Sequence, residues 1–288
     1  MAFPSPTAVS AAPALSQREF EKFSRLAYEH FGLDLPGSKQ GLVAARLGKK
    51  LRELGLKSFQ HYYDYVQADR TGAALEGMVD YLTTNHTSFF REPKHFEFLR
   101  EVIFPALRSR PRIDIWSAAC STGEEPYSIA MALLEESPYE ASVKLRIKAT
   151  DISNRALEKA RCGLYADDRC QAIPQAMRQR YMVRSGPDGF RFRKEVQSLV
   201  EFERLNLMAC LPAGYRCQVI FCRNIMIYFD RPTQQDLVER LSAHLDDGGY
   251  FLIGHSESLN SIRHTLEYLS PATYRKPGPM RGSQIGRG

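Results

Sequence analysis

The stretch from Arg112 to Leu134 constrains this chain more than any other. An alternating run, Arg112-Ile113-Asp114-Ile115-Trp116, collapses into Ser117-Ala118-Ala119-Cys120-Ser121, passes Thr122, Gly123, Glu124 and Glu125, and enters an apolar-periodic segment from Pro126 to Leu134. The pattern predicts strand, tight turn, helix. Small side chains between a buried strand and a helix N-terminus let a nucleotide-like ligand lie against bare backbone. Ala119, Ser121 and Gly123 stand where a dinucleotide fingerprint would carry three glycines, and no Gly-Lys-Ser/Thr closes a phosphate cradle. Carboxylates at the mouth repel a pyrophosphate but suit hydroxyl and ammonium groups. The loop therefore points to S-adenosylmethionine and away from NAD or ATP. The alternative is two surface acids placed favourably in a helix's first turn.

With 288 residues, 43% of them hydrophobic, the chain is long enough for one large domain and a small one. No apolar run approaches a membrane span. Met1 to Leu15, rich in Ala, Pro and Ser, has no Lys or Arg and reads as a loose tail, not a secretion signal. The six cysteines lack a C-x-x-C spacing, which favours reduced thiols and a cytoplasmic protein. His86, His95, His255 and His264 are scattered without ligand spacing, so no metal is expected. A net charge of +6 calls for an acidic partner.

Residues 16–84 read as helical. Ser16 and Glu19 form a capping box ahead of Phe20, Phe23, Leu26, Ala27 and Phe31, and Gly32 stops the helix. The segment Ser38 to Leu54 carries Leu42, Val43, Leu47, Leu51 and Leu54 on one side. Lys39, Arg46, Lys49, Lys50 and Arg52 stand on the other, with Glu53 the one acid. Such a face repels itself unless something negative lies against it. Two more helices are predicted, Ser58 to Gln67 and Ala73 to Leu82. Residues 85–95 form a polar, aromatic linker of the kind that lines sites.

The second part alternates. A strand from Lys144 to Thr150 ends in Asp151, where doubly wound folds place the acid that binds ribose hydroxyls; Asp151 as the N-cap of the following helix is the alternative. Tyr181-Met182-Val183, Phe190-Arg191-Phe192-Arg193 and Leu199-Val200-Glu201-Phe202 suggest a small antiparallel insertion at about 178–203, with an exposed edge. Strands at Val219 to Cys222, Tyr250 to Ile253 and Thr273-Tyr274, with a helix from Pro232 to Leu245, complete a mixed sheet within 96–276. Residues 277–288 read as a disordered tail.

Four motifs carry a resemblance: Thr83-Thr84-Asn85-x-Thr87-x-Phe89-Phe90-Arg91-Glu92, Trp116 to Ser128, Phe221-Cys222-Arg223-Asn224-x-Met226-Ile227-Tyr228-Phe229-Asp230, and Gly254-His255-Ser256-Glu257. They look like the CheR family, the chemotaxis receptor glutamate methyltransferases. The resemblance implies an α/β fold: a Rossmann-like S-adenosylmethionine-dependent methyltransferase domain with a small antiparallel β-subdomain, preceded by an all-α N-terminal domain. It implies a cofactor pocket of Asn85, Thr87, Arg91, one of Glu124 or Glu125, Asp151, Asn206, Leu207, Arg223 and Asn224. Tyr228 and Arg91 become candidates for orienting the substrate carboxylate or closing over the cofactor. Arg46, Lys49, Lys50 and Arg52 become candidates for meeting the acidic methylation region of a chemoreceptor's cytoplasmic helical bundle. The loop Ser185-Gly186-Pro187-Asp188-Gly189 is shorter than in relatives that bind a receptor's C-terminal pentapeptide, so the chain resembles the tether-independent subgroup, acting as a monomer.

The implied chemistry needs little acid–base help. A glutamate, with a pKa of about 4.3 in water, is already anionic at neutral pH and can attack a sulfonium methyl unaided, giving a glutamate 5-O-methyl ester and S-adenosylhomocysteine. A nucleic-acid methyltransferase is the first rival, but Asn224-Ile225-Met226-Ile227 stands where the Asn-Pro-Pro-Tyr signature of amino-directed enzymes would be. A cofactor-binding regulator without catalysis is the second.

Overall fold

The computed structural model describes residues 14–83, 87–136 and 144–278. They fall into two compact units divided at residue 85. In the first, α1 (Gln17–Phe31) begins at a complete capping box and ends on Gly32 in the left-handed conformation, φ 67°. It is followed by α2 (Gln40–Glu53), α3 (Phe59–Ala68, capped by Ser58) and α4 (Ala73–Leu82). Each helix contributes a large side chain wholly removed from water, Phe23, Leu47, Tyr62 and Met78. The apolar side of α2 is narrower than its spacing suggests. Val43, Leu47 and Leu51 are buried, whereas Leu42, a further 100° round the helix, is 46% exposed.

Leu15 corrects the reading of the N-terminal segment. It is buried, and its carbonyl accepts a hydrogen bond from Gln40 Nε2 at 3.0 Å, so the packed chain starts before Ser16. Residues 1–13 and 279–288, which hold the rest of the two expected tails, lie outside the described residues.

The second unit opens with a helix that periodicity did not reveal. It consists of α5 (Lys94–Phe98), a wide π turn over Leu99–Ile103 and α6 (Phe104–Leu107). Pro105, with no N–H to donate, stands two residues past the wide turn and disguises the pattern. Then come β1 (Arg112–Ser117), α7 (Glu124–Glu136), β2 (Lys144–Asp151), α8 (Asn154–Cys162), β3 (Leu164–Tyr165), α9 (Gln175–Tyr181), β4 (Met182–Arg184), β5 (Phe190–Phe192), α10 (Lys194–Gln197) and β6 (Val200–Arg204). The chain closes with β7 (Cys217–Cys222), α11 (Arg231–His244), β8 (Leu245–Ile253), β9 (Glu267–Ser270) and β10 (Thr273–Arg275).

Seven strands form one sheet in the order β6-β2-β1-β7-β8-β10-β9. The pairings of β6, β2, β1, β7 and β8 are parallel, and β10 runs antiparallel to both of its neighbours. All six residues of β7 are buried, as a central parallel strand requires. From β1 the chain moves outward to β2 and β6, then returns to β7 on the other flank. The loops after β1 and β7 therefore part, and a crevice opens at the carboxyl ends of those two strands.

Two features of the expected insertion change. Val200–Arg204 is the edge of the main sheet, paired in parallel with β2, and does not belong to the antiparallel subdomain. Its place there is taken by Leu164–Tyr165, in a three-stranded sheet ordered β3-β5-β4. A run of four alternating residues carries no information about its partner, and β3 is too short to show alternation at all.

Candidate functional site

The loop after β1 makes its turn with one glycine where a fingerprint would use three. Ser121 takes a left-handed φ of 49°, costly for a side chain with a Cβ. The compensation comes from the tip of β2, where Asp151 Oδ2 accepts the Ser121 N–H at 2.7 Å and Oδ1 accepts the Ser153 N–H at 2.9 Å. The N-cap of α8 is Ser153, whose hydroxyl takes the Ala156 N–H, so the alternative reading of Asp151 is set aside. Asn206 arrives beside it because the Leu205 N–H bonds to the Asp151 carbonyl at 3.0 Å, and Leu207 is buried next in line.

Gly123 is the glycine the loop cannot replace. Its φ is 94°, and a Cβ there would stand 2.8 Å from Ala160 Cβ and 2.9 Å from Tyr165 Oη. We expect Gly123→Ala to cost about 1–3 kcal/mol through backbone strain, before the displacement of α8 is counted. The chain's single tryptophan, Trp116, is buried in β1 and reports urea unfolding of this unit. An unchanged midpoint would show that neither the positive φ nor the close approach of α8 requires a glycine here.

The adjacent carboxylates part company. Glu124, 1% exposed, accepts from Thr122 Oγ1 at 2.6 Å and pairs with Arg169. Glu125 turns toward the crevice, accepting from Ser117 Oγ at 2.6 Å and from Arg223 Nη1 at 2.9 Å. Burial pushes the Glu125 carboxyl up, with the Arg223 charge and the two hydrogen bonds pulling against it.

Arg223 follows β7 and is the hub of the site. Its buried guanidinium joins Glu125 on one side and Glu92 Oε2 on the other, at 2.9 Å each. It also donates to the Arg91 carbonyl and lies over the Phe96 ring. Glu92 accepts further from Asn224 Nδ2 at 3.2 Å and from the His255 N–H at 3.1 Å. Burial works against its ionisation, but the Arg223 charge and these donors outweigh it and hold the carboxyl below its ordinary range. Glu257 braces the other edge through the N–H groups of Gly254, Asn224 and Met226 at 2.6–2.9 Å.

Residues 87–92 are stapled at both ends by arginines. Arg169 donates to the Thr87 carbonyl at 2.8 Å, and Arg223 holds the Arg91 carbonyl. Phe89 anchors the middle, 1% exposed and edge-on to Tyr165 at 4.9 Å. Among the described residues five that are not glycine have positive φ, and Phe90, Glu92, Ser121 and Asn224 are four of them. Backbone strain thus concentrates at the crevice. Tyr228, half-buried, closes a turn of 3-10 helix four residues beyond Asn224.

Of the residues singled out by sequence, Thr87, Arg91, Glu125, Asp151, Asn206, Leu207, Arg223 and Asn224 belong to this one corner. Asn85 lies outside the described residues. Glu92, Ser117, Arg169 and Glu257 were not singled out. Glu92 and Glu257 sit inside quoted motifs and could have been, whereas Arg169 carries no local signal. In the first unit Arg46 bonds to the Leu82 carbonyl and Lys50 lies 5.3 Å from the centre of the Tyr81 ring, while Lys49 and Arg52 are exposed. His95 and His255, which show no ligand spacing along the chain, meet with ring centres 4.8 Å apart. Burial, helped by the nearby Arg223 charge, pushes the His95 imidazole down to about 3.

A carboxylate fixed by backbone at the tip of β2, beside a loop with no bulky side chains, suits a ribose diol, so the residues present fit an adenosyl group. Comparison with known families agrees. Residues 85–275 match the CheR methyltransferase SAM-binding domain, and residues 18–83 match the CheR methyltransferase all-alpha domain. Fold and site together thus define an S-adenosylmethionine-dependent methyltransferase. The chain is 38% identical to the chemotaxis protein methyltransferase of Borreliella burgdorferi, over 91% of this chain and 95% of that one. It is 38% identical to chemotaxis protein methyltransferase 2 of Pseudomonas aeruginosa, over 94% and 97%. Against that of Escherichia coli the figure is 38% over 91% of each. The chain belongs to the CheR methyltransferase family, and its activity is S-adenosylmethionine-dependent methylation in chemotaxis.

Proposed function

We propose that the chain methylates specific glutamate side chains in the cytoplasmic region of chemoreceptors, giving glutamate 5-O-methyl esters for sensory adaptation. Bound S-adenosylmethionine supplies an electrophilic methyl group on a sulfonium. Asp151 would hold the ribose hydroxyls, with Asn206 and Leu207 beside it as further contacts for the adenosyl group. Arg223, held by Glu125 and Glu92, fixes the floor of the pocket, with Thr87 and Asn224 along its rim. Arg91 and Tyr228 orient the incoming carboxylate. That carboxylate is already ionised at neutral pH, so these residues position it and exclude water, and none has to remove a proton.

The observation that carries the reading is the cationic face of α2. Lys49, Arg52 and Leu42 are all exposed on α2, and Glu53, the one acid in the segment, is taken by the Tyr81 hydroxyl. Exposed cations and an exposed apolar side chain on one helix suit an acidic helix as partner. Arg46 and Lys50 have packing duties in this unit, so Lys49 and Arg52 are the cleaner probes.

Lys49→Glu with Arg52→Glu is expected to lower base-labile methyl incorporation into receptor-bearing membranes about tenfold, with S-adenosylhomocysteine affinity unchanged. Equal loss of both would take α2 out of the substrate site. The β4–β5 hairpin closes with a Ser185 N–H to Gly189 carbonyl bond of 2.8 Å across a short loop. This supports methylation of receptors that lack a C-terminal pentapeptide. No described helix is long and apolar enough to cross a membrane, and we propose that the enzyme works as a cytoplasmic monomer.

A further inference from the structure

We propose that Glu92, His95 and His255 form a binding site for one divalent transition-metal ion of the zinc or cobalt type. One ligating atom from each lies within 4.8 Å of the others. The His95 Nδ1 to Glu92 Oε2 distance is 3.5 Å. Metal–ligand bonds of about 2.1 Å in a tetrahedron set neighbouring donor atoms about 3.4 Å apart, so this pair is already spaced for a shared ion. His255, an exposed side chain, has room to complete the set.

His95 points to a missing ligand on independent grounds. It is 2% exposed, and neither ring nitrogen has a hydrogen-bond partner. Buried polar atoms are seldom left this way, because desolvation without a replacement bond is costly. Both imidazoles line a cavity of about 440 Å³ that also carries Glu97, Glu101 and Lys94, which gives an ion a route with a net acidic wall. Arg223, 2.9 Å from Glu92, opposes a cation, but Glu125 on its far side balances it. Two nitrogens and one oxygen select zinc-like ions over magnesium or calcium.

An ion here would tie the turn at His255 to Glu92, and so to Arg223 and Asn224, making it a clamp on the crevice floor. No step of methyl transfer passes through it, and the site stands whether or not receptor glutamate is the substrate.

The test uses the full chain stripped with EDTA. Cobalt(II) absorption and zinc calorimetry are expected to show one equivalent bound, with visible d–d bands and no thiolate charge transfer. His255→Ala, checked for folding by Trp116 fluorescence, is expected to weaken that equivalent by at least about tenfold. His255→Asn repeats the test with a side chain closer in size. Absence of a one-to-one component, or affinity unchanged in both variants, overturns the site.

Discussion

Arg223→Met is expected to remove about 3–5 kcal/mol from the stability of the methyltransferase unit, because it strips the cation from two carboxylates that stay buried. The Arg223 side chain is 2% exposed, and Glu92 and Glu125 are only 14% and 13% exposed. The loss should also depend on pH, and the sign follows from linkage. Glu92 titrates below its ordinary value in the folded protein, so its contribution is present above the unfolded pKa and fades as pH falls through the folded one. Glu125 titrates above its ordinary value, so folding is favoured below the unfolded pKa and that advantage is lost as pH rises through the folded one. Without Arg223 both carboxyls move upward, and the variant must either bury charge or hold protons that the unfolded chain releases. The gap between wild type and variant should therefore widen from about pH 4.5 to pH 7. Urea titrations followed by Trp116 measure it, and a gap that stays constant or narrows would remove Arg223 from its place between the two acids.

Asp151→Ala is expected to weaken S-adenosylhomocysteine binding by roughly 10- to 100-fold, the loss of about 1.5–3 kcal/mol of charge-assisted hydrogen bonding. The same carboxylate supports the left-handed Ser121, so some stability goes with it. Asp151→Asn separates the two roles. Its one side-chain oxygen can still receive the Ser121 N–H, whereas the amide cannot match a carboxylate toward a diol. Calorimetry should then find affinity largely lost in both variants and stability partly recovered in Asn. Affinity unchanged in the alanine variant would leave Asp151 as a brace for the loop and nothing more.

The sequence by itself determined what depends on neighbours along the chain. The capping box at Ser16 and Glu19, the stop at Gly32, the passage from β1 through small residues into α7, and the acid ending β2 are each set by a few adjacent residues, and each stands in the structure. The four motifs likewise held the family, because a family's residues recur in order whatever brings them together.

Tertiary structure alone decided the rest. Glu124 and Glu125 are alike in sequence, and only the arrival of Arg169, 45 residues on, and Arg223, 98 residues on, gives them different tasks. Val200–Arg204 became a main-sheet edge because β2 offered it a partner, which its own alternation could not announce. Left-handed Ser121 and Asn224 are tolerated because distant carboxylates, Asp151 and Glu257, hold their N–H groups. Periodicity and capping are short-range, whereas the partner of a buried charge is chosen by the topology of the sheet, which brings together residues that no local pattern relates.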